Sequence, residues 1–119
     1  MTLLEGILWL TLNIYHEARS EPQIGQVAIA HVTLNRAKQK NISIKDVLEQ
    51  PKQFHWIEKK SYIPNNVPVF FQCMQSALIA VSTRDFTAGA THFHLVTKKP
   101  KWSSNLTYID QYGSHKFYR

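Results

Sequence analysis

The chain has 119 residues, is 44% hydrophobic and 12% aromatic, and sets 14 Lys and Arg against 8 Asp and Glu for a formal net charge of +6. That length suits one domain able to bury about two-thirds of its unfolded surface, and the apolar fraction excludes a disordered segment. A single cysteine, Cys73, excludes an internal disulfide and reads as an ordinary buried thiol, while the positive charge favours anionic partners (nucleic acid, lipid headgroups or wall polymer) without choosing among them.

The opening stretch, MTLLEGILWLTL, lacks a basic n-region and a small-residue cleavage site, and it carries Glu5 within it. It is also too short to span a bilayer. The expectation is synthesis in the cytoplasm without a signal peptide, and no stable membrane insertion. Residues 3–18 predict a first helix, with Leu4, Ile7, Leu8, Thr11, Tyr15 and Ala18 on one stripe at helical spacing. Pro22 disfavours helical geometry at Glu21, so this helix should stop near 18–20. A second helix is expected over about 21–38, with Ser20 as N-cap and Gln23 as its capping-box partner. Ile24, Val27, Ala28, Ile29, Val32 and Leu34 leave it little polar face, which makes it the expected central helix. His31 and Asn35 fall within its apolar arc, as a hydrogen-bonded core pair or as catalytic groups.

SIKDVLEQ (43–50) reads as a short capped helix, and the segment after it as an irregular aromatic loop. VPVFFQCMQSALIAVST (67–83) predicts a third long helix. Beyond Asp85, AGATHFHLV followed by KKPKW predicts a small β-hairpin, and GSHKFYR offers a last strand. The fold class expected is α+β, mostly α, in one domain spanning 1–119.

Glu17 lies at the edge of the first helix's apolar stripe, beside Leu10 and Ile14 and near the helix C-terminus. Apolar neighbours and the terminal partial negative charge both push a carboxyl's pKa upward, as a general acid near neutral pH requires. Arg19 opposes that shift, and a solvated glutamate at a helix end remains the other reading. HEARS is not a zinc-protease helix, because Ser20 stands where the second histidine is needed. A zinc site from His92, His94 and His115 lacks a closing ligand set at recognisable spacing, so no metal or other cofactor is expected. The four glycines, Gly6, Gly25, Gly89 and Gly113, make no phosphate-cradling loop, and no nucleic-acid recognition module is spelled out. Aromatic residues outside the long helices (Phe54, Trp56, Tyr62, Phe93, Trp102, Tyr112, Phe117 and Tyr118) sit among polar donors, as in a groove for a glycan.

IYHEARSEPQIGQVAIAHVTLNR (14–36), QPKQFHW (50–56), GATHFH (89–94), KW (101–102) and GSHKFYR (113–119) together resemble the SleB/CwlJ family of cell-wall hydrolases. The resemblance implies a small lysozyme- or transglycosylase-like domain with three main helices and a short β-hairpin, acting on peptidoglycan glycan strands as a monomer. It maps the family's catalytic acid onto Glu17 and a hairpin wall of the glycan cleft onto Gly89 to His94. Ser20 departs from the family's usual glycine. Cleavage between N-acetylmuramic acid and N-acetylglucosamine by a lytic transglycosylase needs Glu17 alone, first as acid and then as base. A lysozyme-type hydrolase needs a second carboxylate, for which Glu21 is the nearest candidate in sequence; an exposed acid complementing the second helix's dipole is its other reading. Gln53, Phe54, Thr91, His92, Phe93 and His94 are the candidate sugar-binding residues. Spore-cortex members commonly carry an export signal and a wall-binding domain, so the further expectation is a phage-type endolysin that acts on the wall after release. The rival class is a non-catalytic basic module binding wall polymer or nucleic acid.

Overall fold

The structure is a computed structural model that describes residues 2–50, 53–59 and 62–119. Helix α1 (Leu3–Ala18) starts where the Thr2 hydroxyl accepts from the Glu5 amide, a side-chain cap on one of the free N–H groups of the first turn. Its buried face is Ile7, Leu10, Thr11, Ile14, Tyr15 and Ala18, whereas Leu4 and Leu8 face outward. The helix is apolar on more than one side, so periodicity alone does not select the face that tertiary packing buries.

Helix α2 (Gln23–Lys40) begins at Pro22, which is extended at φ −60° and ψ 156° and makes no side-chain cap bond. The expected Ser20 cap is therefore absent: the proline moves the start two residues on. Helix α2 is the central helix. Val27 and Ala30 pack into a cluster with α1 and with Cys73, Ala77 and Ala80 of α5 (Val67–Ser82). Ala28, Ile29 and Val32 pack into a second cluster with Ala18, Ala90 and Phe117. Alanines at these contacts let the helices approach closely, and Ile24, expected inside, is exposed.

Between them, α3 (Ile44–Leu48) is capped by Ser43, whose hydroxyl accepts from the Asp46 amide. The expected aromatic loop holds a helical turn, α4 (His55–Glu58). Trp56 there donates its indole N–H to Asn13 at 3.1 Å and stacks on His16 with ring centroids 4.8 Å apart. Helix α5 is capped at Asn66, whose side chain accepts from the Val69 amide, a cap not anticipated from the sequence.

The β region differs from a simple hairpin. Strands β1 (His92–Leu95), β2 (Tyr108–Tyr112) and β3 (His115–Tyr118) form one antiparallel sheet in the order β1-β3-β2. The hairpin joins β2 to β3, and the chain's last strand lies in the middle. KKPKW is not the turn of a hairpin; Lys101–Asn105 is a 3-10 helix carrying Trp102 beside the sheet. Local alternation reports strand character, but it says nothing of which distant strand supplies the partner.

Candidate active site

Glu17 occupies the last turn of α1, and its carboxyl opens onto a cavity of about 450 Å³. The wall opposite comes from the β region, with His92 and Phe93 on β1 and Trp102 on the 3-10 helix. Arg36 of α2, Gln53 and the buried ring of Phe54 complete the lining. Glu17 is thus the one acid lining this cavity among the described residues. Burial without a compensating partner pushes its pKa up to about 6. Arg19, expected to oppose the shift, instead folds back with its guanidinium 5.0 Å from the centre of the Tyr15 ring.

Arg36 locks two walls together. Its Nε donates to the Thr91 carbonyl oxygen, and a terminal nitrogen donates to Gln53 Oε1 at 2.8 Å. Its neighbour Asn35 donates to the Ala90 carbonyl oxygen at 2.9 Å and to Asp85 Oδ2 at 3.0 Å. Asp85 also accepts from the Thr87 amide and hydroxyl and from the Gly89 amide. The turn they close places Ala88 and Gly89 at φ +54° and +81°, and from it the chain enters β1. His31 is 4.0 Å from Asp85, so His31 and Asn35 are not bonded to each other as expected but converge on this carboxylate.

The structure brings Glu17, Gln53, Phe54, His92 and Phe93 together and sets the other candidates outside this cavity. Thr91 turns its carbonyl to Arg36 and shares a hydrogen bond of 2.9 Å between its hydroxyl and His92 Nδ1. Burial, and then the charges of Arg36 and Lys40, lower the His92 pKa, which favours a neutral ring. His94 lines an adjoining chamber and shares a 2.8 Å hydrogen bond with the Tyr118 hydroxyl.

Glu21 is engaged elsewhere. It accepts from the Ser114 amide at 2.7 Å and from His115 Nδ1 at 3.1 Å, tying the α1–α2 corner to the turn between β2 and β3. Desolvation raises its pKa, but these donors together outweigh that and hold it below the usual value. His115 faces Phe93 and Glu21, while His92 and His94 pack on Trp102. The three histidines raised above as a zinc set therefore lie on opposite faces of the sheet and do not converge. Among the described residues, no group of three His, Cys, Asp or Glu side chains is placed to hold a metal.

Sequence reasoning missed Arg36 as a cleft residue, and it named Trp102 only among the aromatic residues suited to a glycan groove. Arg36 ends the first stretch of the resemblance, so it was visible as a residue but not as a wall.

A family model described as Cell Wall Hydrolase matches residues 20–118. The chain belongs to the cell wall hydrolase family. Among curated relatives, a Bacillus cereus spore cortex-lytic enzyme is 30% identical over 108 residues, covering 87% of this chain. The match covers 40% of that relative, so this chain corresponds to less than half of its length. Among solved structures, the catalytic domain of the germination-specific lytic transglycosylase SleB from Bacillus anthracis is 26% identical with a TM-score of 0.84. That match covers 99% of this chain and 97% of the other. The catalytic domain of the Bacillus cereus SleB protein is 25% identical with a TM-score of 0.83, over 100% of this chain and 93% of its own. The expected SleB-type fold and family are both borne out. The family match starts just after Glu17, whereas the Bacillus cereus superposition takes in the whole chain.

Proposed function

We propose that this cell wall hydrolase domain cleaves peptidoglycan glycan strands between N-acetylmuramic acid and N-acetylglucosamine as a lytic transglycosylase, with Glu17 as its acid and base. The observation that carries the reading is a half-buried carboxyl without a hydrogen-bond partner among the described residues, its pKa pushed up to about 6, facing aromatic and hydrogen-bonding side chains across an open cleft. Protonated Glu17 donates to the glycosidic oxygen as the bond breaks. The resulting carboxylate then takes the proton of the same sugar's C6 hydroxyl, whose oxygen closes on C1 to give the anhydro ring. Intramolecular attack has effective molarities of about 10⁵–10⁸ M, so no second carboxylate is needed to hold a water. The lysozyme-type alternative asks Glu21 to do that, and Glu21 is bound to Ser114 and His115 instead. Neutral His92, Gln53 and the faces of Phe93 and Trp102 are suited to orient the sugars. The kinship with SleB, described as a lytic transglycosylase, supports the same product.

The test is mass spectrometry of fragments released from purified sacculi by the wild type and by Glu17→Gln. Anhydro-muropeptides are expected from the wild type, with a loss of at least about 10²–10⁴-fold in rate for the variant. Reducing-end products, or an equally active variant, would overturn the assignment. The endolysin setting, with synthesis in the cytoplasm and action on the wall after release, rests on the net charge of +6. The curated relative is a spore enzyme, which makes the spore cortex the competing setting. Comparing lysis of vegetative sacculi with lysis of cortex preparations separates the two.

A further inference from the structure

The positive cluster KKPK is not used by the chemistry above, yet it stands beside it. Lys98 and Lys99 line an open chamber of about 500 Å³ together with His94 and Pro100. This chamber shares Phe93 and Trp102 with the Glu17 cleft, so the two adjoin at these rings. Trp102 is packed against its neighbours there. His94 stacks on Tyr118 at 5.3 Å, and Trp102 meets the two rings nearly edge-on at 5.6 and 5.5 Å. Among the described residues, no carboxylate lies within 4.0 Å of either lysine's ammonium. Two unneutralised cations in a chamber adjoining the half-buried acid's cleft call for a ligand that is neutral at one end and anionic at the other.

A wall glycan has that form. Its sugar rings are uncharged, and the lactyl ether on each muramic acid carries a side branch, a short peptide stem bearing free carboxylates. We propose that the Lys98–Lys99 chamber is a stem-binding subsite, taking a carboxylate of the peptide carried by a muramic acid bound in the Glu17 cleft. This rests on the glycan-cleavage reading and deepens it: the preferred substrate is glycan that still bears its stems, rather than glycan already stripped to sugar. Trp102 then serves both the cleft and the chamber, with one face toward the sugar and its edge toward the branch.

The experiment measures binding to folded Glu17→Gln by calorimetry, using soluble glycan oligomers with intact stems and the same oligomers stripped by an amidase. The Lys98→Gln, Lys99→Gln pair is compared with Lys38→Gln, Lys45→Gln, which removes equal charge from positions lining neither chamber. The first pair is expected to reduce the preference for stem-bearing over stripped oligomer by about threefold to tenfold, the scale of two exposed charge contacts. That difference should fade at about 1 M salt. Equal weakening of both oligomers by the two pairs would mean general attraction to polyanion, phosphate polymers included, and would overturn the subsite. No preference for stems in the parent would overturn it as well. The cleavage reading is judged separately by wild-type activity on sacculi, so either can fail while the other stands.

Discussion

At the residue scale the decisive quantity is the free energy of ionising Glu17. Its pKa rises from 4.5 to about 6 because the carboxylate is desolvated, a difference of about 2 kcal/mol between protonation states. In the window between those values the folded state binds more protons than the unfolded state, so stability falls as pH rises through it. Below the window the group costs nothing, and above it the full penalty applies. Glu17→Gln is therefore expected to be more stable than the wild type by up to about 2 kcal/mol at pH 8, with the difference vanishing at pH 4. Urea denaturation at the two pH values measures this, and an unchanged difference would contradict the desolvated carboxyl. Under the mechanism proposed above, the same titration sets the wild type's activity: kcat/KM is expected to decline as pH rises through about 6, because that mechanism needs the acid form to protonate the leaving oxygen. This residue was legible in sequence through its apolar neighbours. The partners of Glu21 were not, since Ser114 lies 93 residues further along and nothing local announces it.

At the scale of elements, the cleft depends on how the helical half is fastened to the sheet. One fastening is the Glu21 contact with the β2–β3 turn, where Gly113 sits at φ +61°. A Cβ at this position would lie 2.6 Å from Glu21 Oε1 and 3.1 Å from the Pro22 ring. Gly113→Ala thus adds a clash to the strain of a left-handed alanine. Gly89, at φ +81°, would place its Cβ in open space and meets the strain alone. Both variants are expected to be destabilised by about 1–3 kcal/mol, Gly113→Ala by more, as chemical denaturation would read. Comparable losses would show that the corner yields easily and that Glu21 is a weak tie. The long helices were legible because 3.6-residue periodicity is a local signal carried by each segment. The strand order was not, because β1 pairs with β3 across the 3-10 helix and β2, and short strands of this kind are specified by partners rather than by themselves.

At the scale of the whole molecule, α2 couples the parts by contributing opposite faces to two core clusters, one helical and one reaching Phe117 in the sheet. Trp9 and Trp56 belong to the packing around Leu48 and Phe54, while Trp102 stands on the sheet side. A variant retaining Trp102 alone (Trp9→Phe, Trp56→Phe) gives fluorescence from the far wall, and far-UV circular dichroism reports mainly the helices. The two urea transitions are expected to coincide, as one cooperative unit requires. An earlier fluorescence transition would mean that the sheet opens on its own. The topology also has a consequence in time. A ribosome delivers α1, α2 and α5 first, and these can bury their shared faces as soon as they emerge. Strand β1 follows, but it has no neighbour to pair with until β3, the latest of the three in chain order, arrives to sit between it and β2. The nascent polypeptide therefore carries Glu17 on a finished helix well before the opposing wall gains its central strand.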